Sequence, residues 1–258
     1  MARELASPAK KSAAQRRTLE AVPSRTLEAV RAELHGLADT ADATFLQGFF
    51  KTGPGQYGAG DRFLGLRAPD LHRLAREYRG LDHSQTLEML ASEWHEERLL
   101  ALLIMVEQYR RGDVAARERI HLSYLAHTRH INNWDLVDAS ASQIVGQHLN
   151  SGKVASLERL AQSADLWERR IAIVATFHFI RGGEFRPTLR IARLLLNDPH
   201  DLIHKAVGWM LREVGKRDRK VLDAFLLKHY RKMPRTMLRY AIERHPEPLR
   251  KKYLLGKY

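Results

Sequence analysis

The chain has 258 residues, enough to bury a substantial core as one large domain or one repeat array. Lysine and arginine number 43 against 30 aspartates and glutamates, a formal charge of +13, so nucleic acid is the first partner to expect and an anionic membrane surface the second. The absence of cysteine excludes disulfides, thiol chemistry and thiolate-held zinc or iron–sulfur sites, while 13 histidines leave a histidine–carboxylate metal site formally open.

Residues 1–25 are small, polar and basic, and are expected to be a disordered tail. They carry no apolar core of the kind a secretory signal needs, and the runs Leu99–Val106 and Ile171–Phe177 are too short to span a bilayer. A soluble, intracellular protein is the plain expectation. Two near copies of one phrase, Arg17–Val22 and Arg25–Val30, flank Pro23 and read as a local duplication at the start of the first stable helix.

From there the apolar spacing is helical almost throughout. It predicts helices over 26–36, 40–50, 68–78, 84–92, 95–112, 115–127 and 133–149, then 152–163, 166–182, 186–196, 200–216, 218–229, 234–244 and 247–253. Helix-ending chemistry separates them at Gly112-Asp113, Asn150 to Gly152, Gly182-Gly183, Asn197 to Pro199 and His245-Pro246. No stretch alternates long enough to commit to a sheet. Paired helices recur about every 35–40 residues from residue 95, which predicts an all-α, curved solenoid of stacked antiparallel helical hairpins (HEAT-like repeats) over residues 26–258. The exception is Lys51–Asp61, where Gly53, Gly55 and Gly58 spell GxGxxG. A helix precedes that motif, proline fills its second position and no parallel sheet is in prospect, so a loop, with Lys51 able to meet phosphate, is a better reading than a dinucleotide site.

Trp134 and Asp138 stand four apart at a helix start, on one face, where a carboxylate and an indole both attract cations. The alternative is structural: acids suit a first helical turn, Asn132 or Asn133 is a plausible N-cap, and a lone tryptophan packs in cores. Asp135 fits the first-turn reading better than Asp138. Trp167 and Arg170 are three apart on another helix; of the neighbours Arg169 and Arg170, one should face solvent or a phosphate and the other a partner inside the array. Gly208 beside Trp209 in a helix interior suggests close approach of a neighbouring helix or a ligand. His127 and His130 have helical spacing, but no carboxylate shares that local face and no metal site is expected.

Trp134-Asp-Leu-Val-Asp138, Leu166-Trp-Glu-Arg-Arg-Ile-Ala-Ile and Lys205-Ala-Val-Gly-Trp-Met-Leu-Arg-Glu213 occur in order at suitable spacing. Together they resemble the AlkD-like DNA alkylation repair family of HEAT-like-repeat DNA glycosylases. The loop Phe49 to Gly55, Phe63-Leu-Gly65 and Arg235–Ile242 are similar to further segments of that family, so the likeness spans roughly residues 40–245. It implies that Asp138 is catalytic, that Trp134 and Trp209 are active-site tryptophans, and that Arg170 contacts DNA. A further family aromatic, often tyrosine, falls on Phe49 or Phe50, which lose its hydroxyl.

The reaction implied is hydrolysis of the N-glycosidic bond of an alkylated purine, such as 3-methyladenine or 7-methylguanine, in double-stranded DNA. The alkylated base is cationic and leaves without much protonation. The remaining work is to stabilise an oxocarbenium-like sugar and direct water, which a carboxylate can do. Asp138 would have to be ionised, and nearby Arg and Lys are expected to hold its pKa down. The resemblance further implies a monofunctional, monomeric enzyme with no cofactor or metal, in the cytoplasm with the nucleoid. Two readings of other classes compete: a non-catalytic helical-repeat module that binds DNA or RNA, and a HEAT-type protein scaffold.

Overall fold

The computed structural model describes residues 26–149 and 154–257; the tail expected over residues 1–25 lies outside them. The chain opens with α1 (Leu27–Gly36), α2 (Thr40–Phe49), α3 (Ala68–Glu77), α4 (His83–Leu90), α5 (His95–Arg111), α6 (Val114–Ala126) and α7 (Trp134–Ala141). It continues through α8 (Ala155–Ala161), α9 (Leu166–Ala175), α10 (Phe177–Arg181), α11 (Arg186–Leu194) and α12 (Asp201–Arg217). The last helices are α13 (Arg219–His229), α14 (Arg235–Ala241) and α15 (Glu247–Leu254). Aspartate starts many of them. Asp39, Asp82, Asp113, Asp165 and Asp218 each turn a carboxylate oxygen onto a backbone N–H of the following helix, a cap of about 1 kcal/mol.

Helices α5, α7, α9, α12 and α14 pack in that order, each against the next. The others lie alongside this row: α3 and α4 on α5, α8 on α9, and α13 on α12. This is the all-helical array of stacked hairpins that the break spacing predicts. Helix α5 is enclosed by its neighbours, and Leu100, Ala101, Leu102, Ile104 and Met105 lose all their exposure, as an all-round apolar helix requires.

Two expected helices are interrupted. The segment 133–149 leaves α-geometry after Ala141, and Ser142–Gly146 form a wider π-helical turn. Gly146 sits there because a Cβ would run into the carbonyl of Ala175. The segment 166–182 breaks at buried Thr176, whose hydroxyl donates to the carbonyl of Ile173 (2.6 Å) and competes with the helical ladder. Gly208 has a packing reason: a Cβ would stand 2.5 Å from the Met237 carbonyl oxygen, so the glycine admits α14, not a ligand, against α12.

Among the described residues extended pairing is confined to one bridge, Arg62 to Trp94. The GxGxxG segment follows α2 and precedes no helix directly, so it lacks the βαβ setting of a dinucleotide site. No helix among the described residues is long and apolar enough to cross a membrane.

Candidate active site

The first turn of α7 is built by Asn133, whose Oδ1 accepts from the Trp134 N–H (2.8 Å), and by Asp135, whose Oδ1 accepts from the Leu136 N–H (2.9 Å). Helical spacing then sets half-buried Trp134 and half-buried Asp138 on one face. The Trp134 ring stacks on Phe50 (centroids 5.1 Å apart) and meets Phe49 edge-on (5.9 Å). The two candidate phenylalanines play different parts: Phe50 is buried, whereas Phe49 is 52% exposed and stacks with Phe45 (6.1 Å).

Asp138 faces α9. Arg170 donates from Nε to its Oδ1 (3.0 Å) and from Nη2 to its Oδ2 (2.9 Å), and from Nη1 to the carbonyl of Leu202 on α12 (2.7 Å). The Arg170 side chain is only 6% exposed, and that of Asp138 21%. Burial pushes the Asp138 carboxyl above its ordinary value, and the charge of Asp135 adds to the rise; Arg170 opposes both and does not cancel them. This corrects the expectation that surrounding cations would hold the group down: one guanidinium is in contact, and desolvation outweighs it. Arg169 corrects a second expectation. It does not face solvent but binds Asp198 (2.6 Å) and the carbonyls of Ser163 and Ala164, so both arginines are used inside the array.

Trp209 lies seven residues after Leu202 on α12, about 10 Å along a helix axis, and its half-buried ring contacts Phe177 (6.1 Å). Lys51 is exposed at the start of the glycine-rich loop, with a left-handed φ of 58°. That loop turns back over the site, and Tyr57 meets the Trp167 ring edge-on (6.1 Å), one turn of α9 before Arg170. Tyr57 thus sets an aromatic ring against α9; its GPGQYG setting marked a loop and nothing more.

The sequence also gave no sign of a buried charge cluster under α7. His95, at the start of α5, lies between Asp61 (Nδ1 to Oδ2, 2.9 Å) and Asp135 (Nε2 to Oδ2, 2.7 Å). Arg98 and the Asn133 amide (3.3 Å) also donate to Asp61. The imidazole packs against Phe63 (4.4 Å) and Phe50 (5.1 Å), which also stack on each other (5.1 Å). Burial alone would lower its pKa, but Asp135 and Asp61 raise it to about 9. A largely apolar cavity of about 520 Å³ between α2, α3, α5 and α7 borders Asp135 and His95. Among the described residues no group of three or more histidines and carboxylates is placed to hold a metal ion.

The sequence profile of a family described as DNA alkylation repair enzyme matches residues 30–245. Among solved structures, a predicted DNA alkylation repair enzyme from Enterococcus faecalis superposes with a TM-score of 0.62 at 14% identity, over 81% of this chain and 97% of that one. At that identity the likeness is one of fold. No curated protein matches the chain.

Proposed function

Because the chain belongs to the DNA alkylation repair enzyme family, we propose that it is a monofunctional DNA glycosylase that releases cationic N3- and N7-alkylated purines from double-stranded DNA. The observation that carries this reading is Asp138: a largely desolvated carboxylate, gripped by one guanidinium, beside an indole on the same helical face. A positive base needs little acid assistance to leave, so catalysis reduces to stabilising the cationic sugar and directing water at its anomeric carbon. A carboxylate offers about four acceptor positions, and Arg170 takes two, leaving Asp138 able to accept from a water on its open side. In a desolvated site its charge acts on the sugar with little screening.

Trp134 would offer its face to the same developing charge, a contribution of roughly 1–2 kcal/mol where water is excluded. Trp209 would bound the site further along α12, with exposed Phe49 and Lys51 meeting the duplex. Arg170, expected on DNA, is better suited to aim Asp138, because its side chain is buried and its nitrogens are engaged within the protein. The reading needs no metal or cofactor and one copy of the chain.

The same ion pair supports a second reading. A bidentate pair between α7 and α9 is also what a purely structural helix tie would look like, and a non-catalytic DNA-binding module would keep it. Incubation with DNA carrying 7-methylguanine or 3-methyladenine separates the two. Free base released by the wild type and not by Asp138→Asn, with DNA binding retained, supports the glycosylase. Binding without release of either base from the wild type overturns it and leaves the module.

A further inference from the structure

We infer that His95 is a positioning residue for the Trp134–Asp138 face, holding the first turn of α7 through its bridge between Asp61 and Asp135. The inference rests on the glycosylase reading for its effect on catalysis, but not for its geometry. Three consecutive residues at the start of α7, its N-cap and first two positions, lead back to this histidine. Asn133, the N-cap, donates to Asp61, which the imidazole also binds. Trp134 stacks on Phe50, and Phe50 lies against the imidazole. Asp135 accepts from the imidazole directly at 2.7 Å. A shift of the ring therefore moves the cap, the indole and the first-turn carboxylate together, one turn before Asp138.

The charge of the ring matters as well as its shape. Only the doubly protonated imidazole can donate to both carboxylates at once; a neutral ring has one N–H and must release one of them. The charged groups packed around it are Asp61 from the loop before α3, Asp135 from α7 and Arg98 from its own helix, while Phe50 and Phe63 pack against the ring and the apolar cavity borders it. Two carboxylates against one guanidinium leave the site short of one positive charge, which the imidazolium supplies, consistent with its pKa of about 9. Once the ring is neutral, Asp135 is left with an uncompensated charge. The neutral ring can hold only one of the two carboxylates, so the tie from α5 to the first turn of α7 is weakened where the placement of Trp134 and Asp138 depends on it.

The test follows the ring and the reaction together in the full chain. His95 ring resonances and the Trp134 indole N–H resonance are recorded by NMR from mildly acidic pH to well beyond the His95 value of about 9, beside single-turnover base release corrected for the rate without protein. In the wild type, release falls with the titration of His95. In Asp135→Asn, which keeps the turn but removes one charge, both the titration and the alkaline limb move down by roughly 1–3 pH units. In His95→Gln, which still reaches one carboxylate, turnover falls roughly 10- to 100-fold with little change in KM, and the alkaline limb disappears. A limb that stays in place while the ring titration moves overturns the inference, because a merely structural histidine would behave so. If the wild type releases no base at any pH, the glycosylase reading fails by itself. The Trp134 resonance then decides: tracking the ring supports the positioning role, and ignoring it overturns that role too.

Discussion

The guanidinium of Arg170 covers both carboxylate oxygens of Asp138 from the neighbouring helix and reaches the carbonyl of Leu202 on the helix after that. One side chain therefore ties α7, α9 and α12 together at the point where the candidate chemistry sits. Removing it leaves a buried carboxylate with no counter-charge. Arg170→Ala is expected to lose about 3 kcal/mol of stability, at the lower end for a broken buried pair because Asp138 keeps a fifth of its side-chain surface open. Urea unfolding measures this. Arg170→Lys keeps the charge but cannot reproduce the two parallel bonds; base release should fall by more than tenfold while the protein stays folded. Undiminished release in the lysine variant would show that aim, as distinct from charge, is unimportant.

The position of Asp138 also fixes a pH dependence. Its carboxyl is raised above 3.8, chiefly by burial, and the ionised form is the one that can stabilise a cationic sugar. Base release should therefore decline on acidification at a pH higher than that at which a free aspartate protonates. The stability effect has the opposite sign. A native state with a raised carboxyl binds the proton more tightly than the unfolded chain, so this contribution is complete below 3.8 and vanishes as pH rises through the folded value. Asp61 runs the other way: its pKa is lowered by His95 and Arg98 against the opposing effect of burial, so its contribution is present above 3.8 and lost as pH falls through the folded value. Thermal unfolding of the wild type and Asp138→Asn over acidic pH should show the difference between them shrinking as Asp138 takes up its proton.

Salt dependence discriminates between two arginine roles. A residue that neutralises a phosphate contributes about 0.9 to the slope of log affinity against log salt, and one that does not contributes nothing. Arg170 is buried against Asp138, so Arg170→Lys should leave the slope unchanged even where affinity shifts. Lys51 is exposed at the rim of the glycine-rich loop, and Lys51→Ala should reduce the slope by about one contact. Binding isotherms on an undamaged duplex at several salt concentrations give both numbers. A slope lowered by Arg170→Lys and unmoved by Lys51→Ala would reverse the assignment.

What was legible in the sequence and what was not divides by range. Helix periods and breaks are local, so α5 was expected over 95–112 and runs His95–Arg111, and α12 was expected over 200–216 and runs Asp201–Arg217. The interruption at Thr176 escaped because nothing in its spelling differs from a helical threonine; only its hydroxyl bond to Ile173 does. The pairing of Asp138 with Arg170 joins residues 32 apart, and the His95 bridge joins positions 34 and 40 apart, across three elements. Each residue there has an ordinary local explanation: Asp135 as a first-turn acid, His95 as a helix-start histidine, Asp61 as a loop acid. Their chemistry exists only once packing has removed water from them. Tyr57 illustrates the same limit, since its contact with Trp167 crosses 110 positions of chain that no periodicity spans.

Gly208 provides a check on the packing that carries Trp209. A methyl there would press on the Met237 carbonyl and on the Tyr240 Cβ, both at 2.5 Å, and neither belongs to a flexible side-chain end. Gly208→Ala should thus cost roughly 1–3 kcal/mol despite the better helix propensity of alanine, because α12 and α14 must separate. In a chain of this length that is a fall in Tm of roughly 2–4 °C for each kcal/mol. Gly36, the last residue of α1, is the matching control: nothing lies within 4 Å of its Cβ position, so the same substitution should be neutral or stabilise by up to about 1 kcal/mol. Calorimetry on the two variants should show a lowered Tm for Gly208→Ala and an unchanged or raised one for Gly36→Ala. The Gly208 variant should also lose base release more steeply than stability alone explains, since Trp209 moves with the backbone beside it. A Gly208→Ala protein that is as stable and as active as the wild type would mean that α14 approaches α12 less closely than this packing requires.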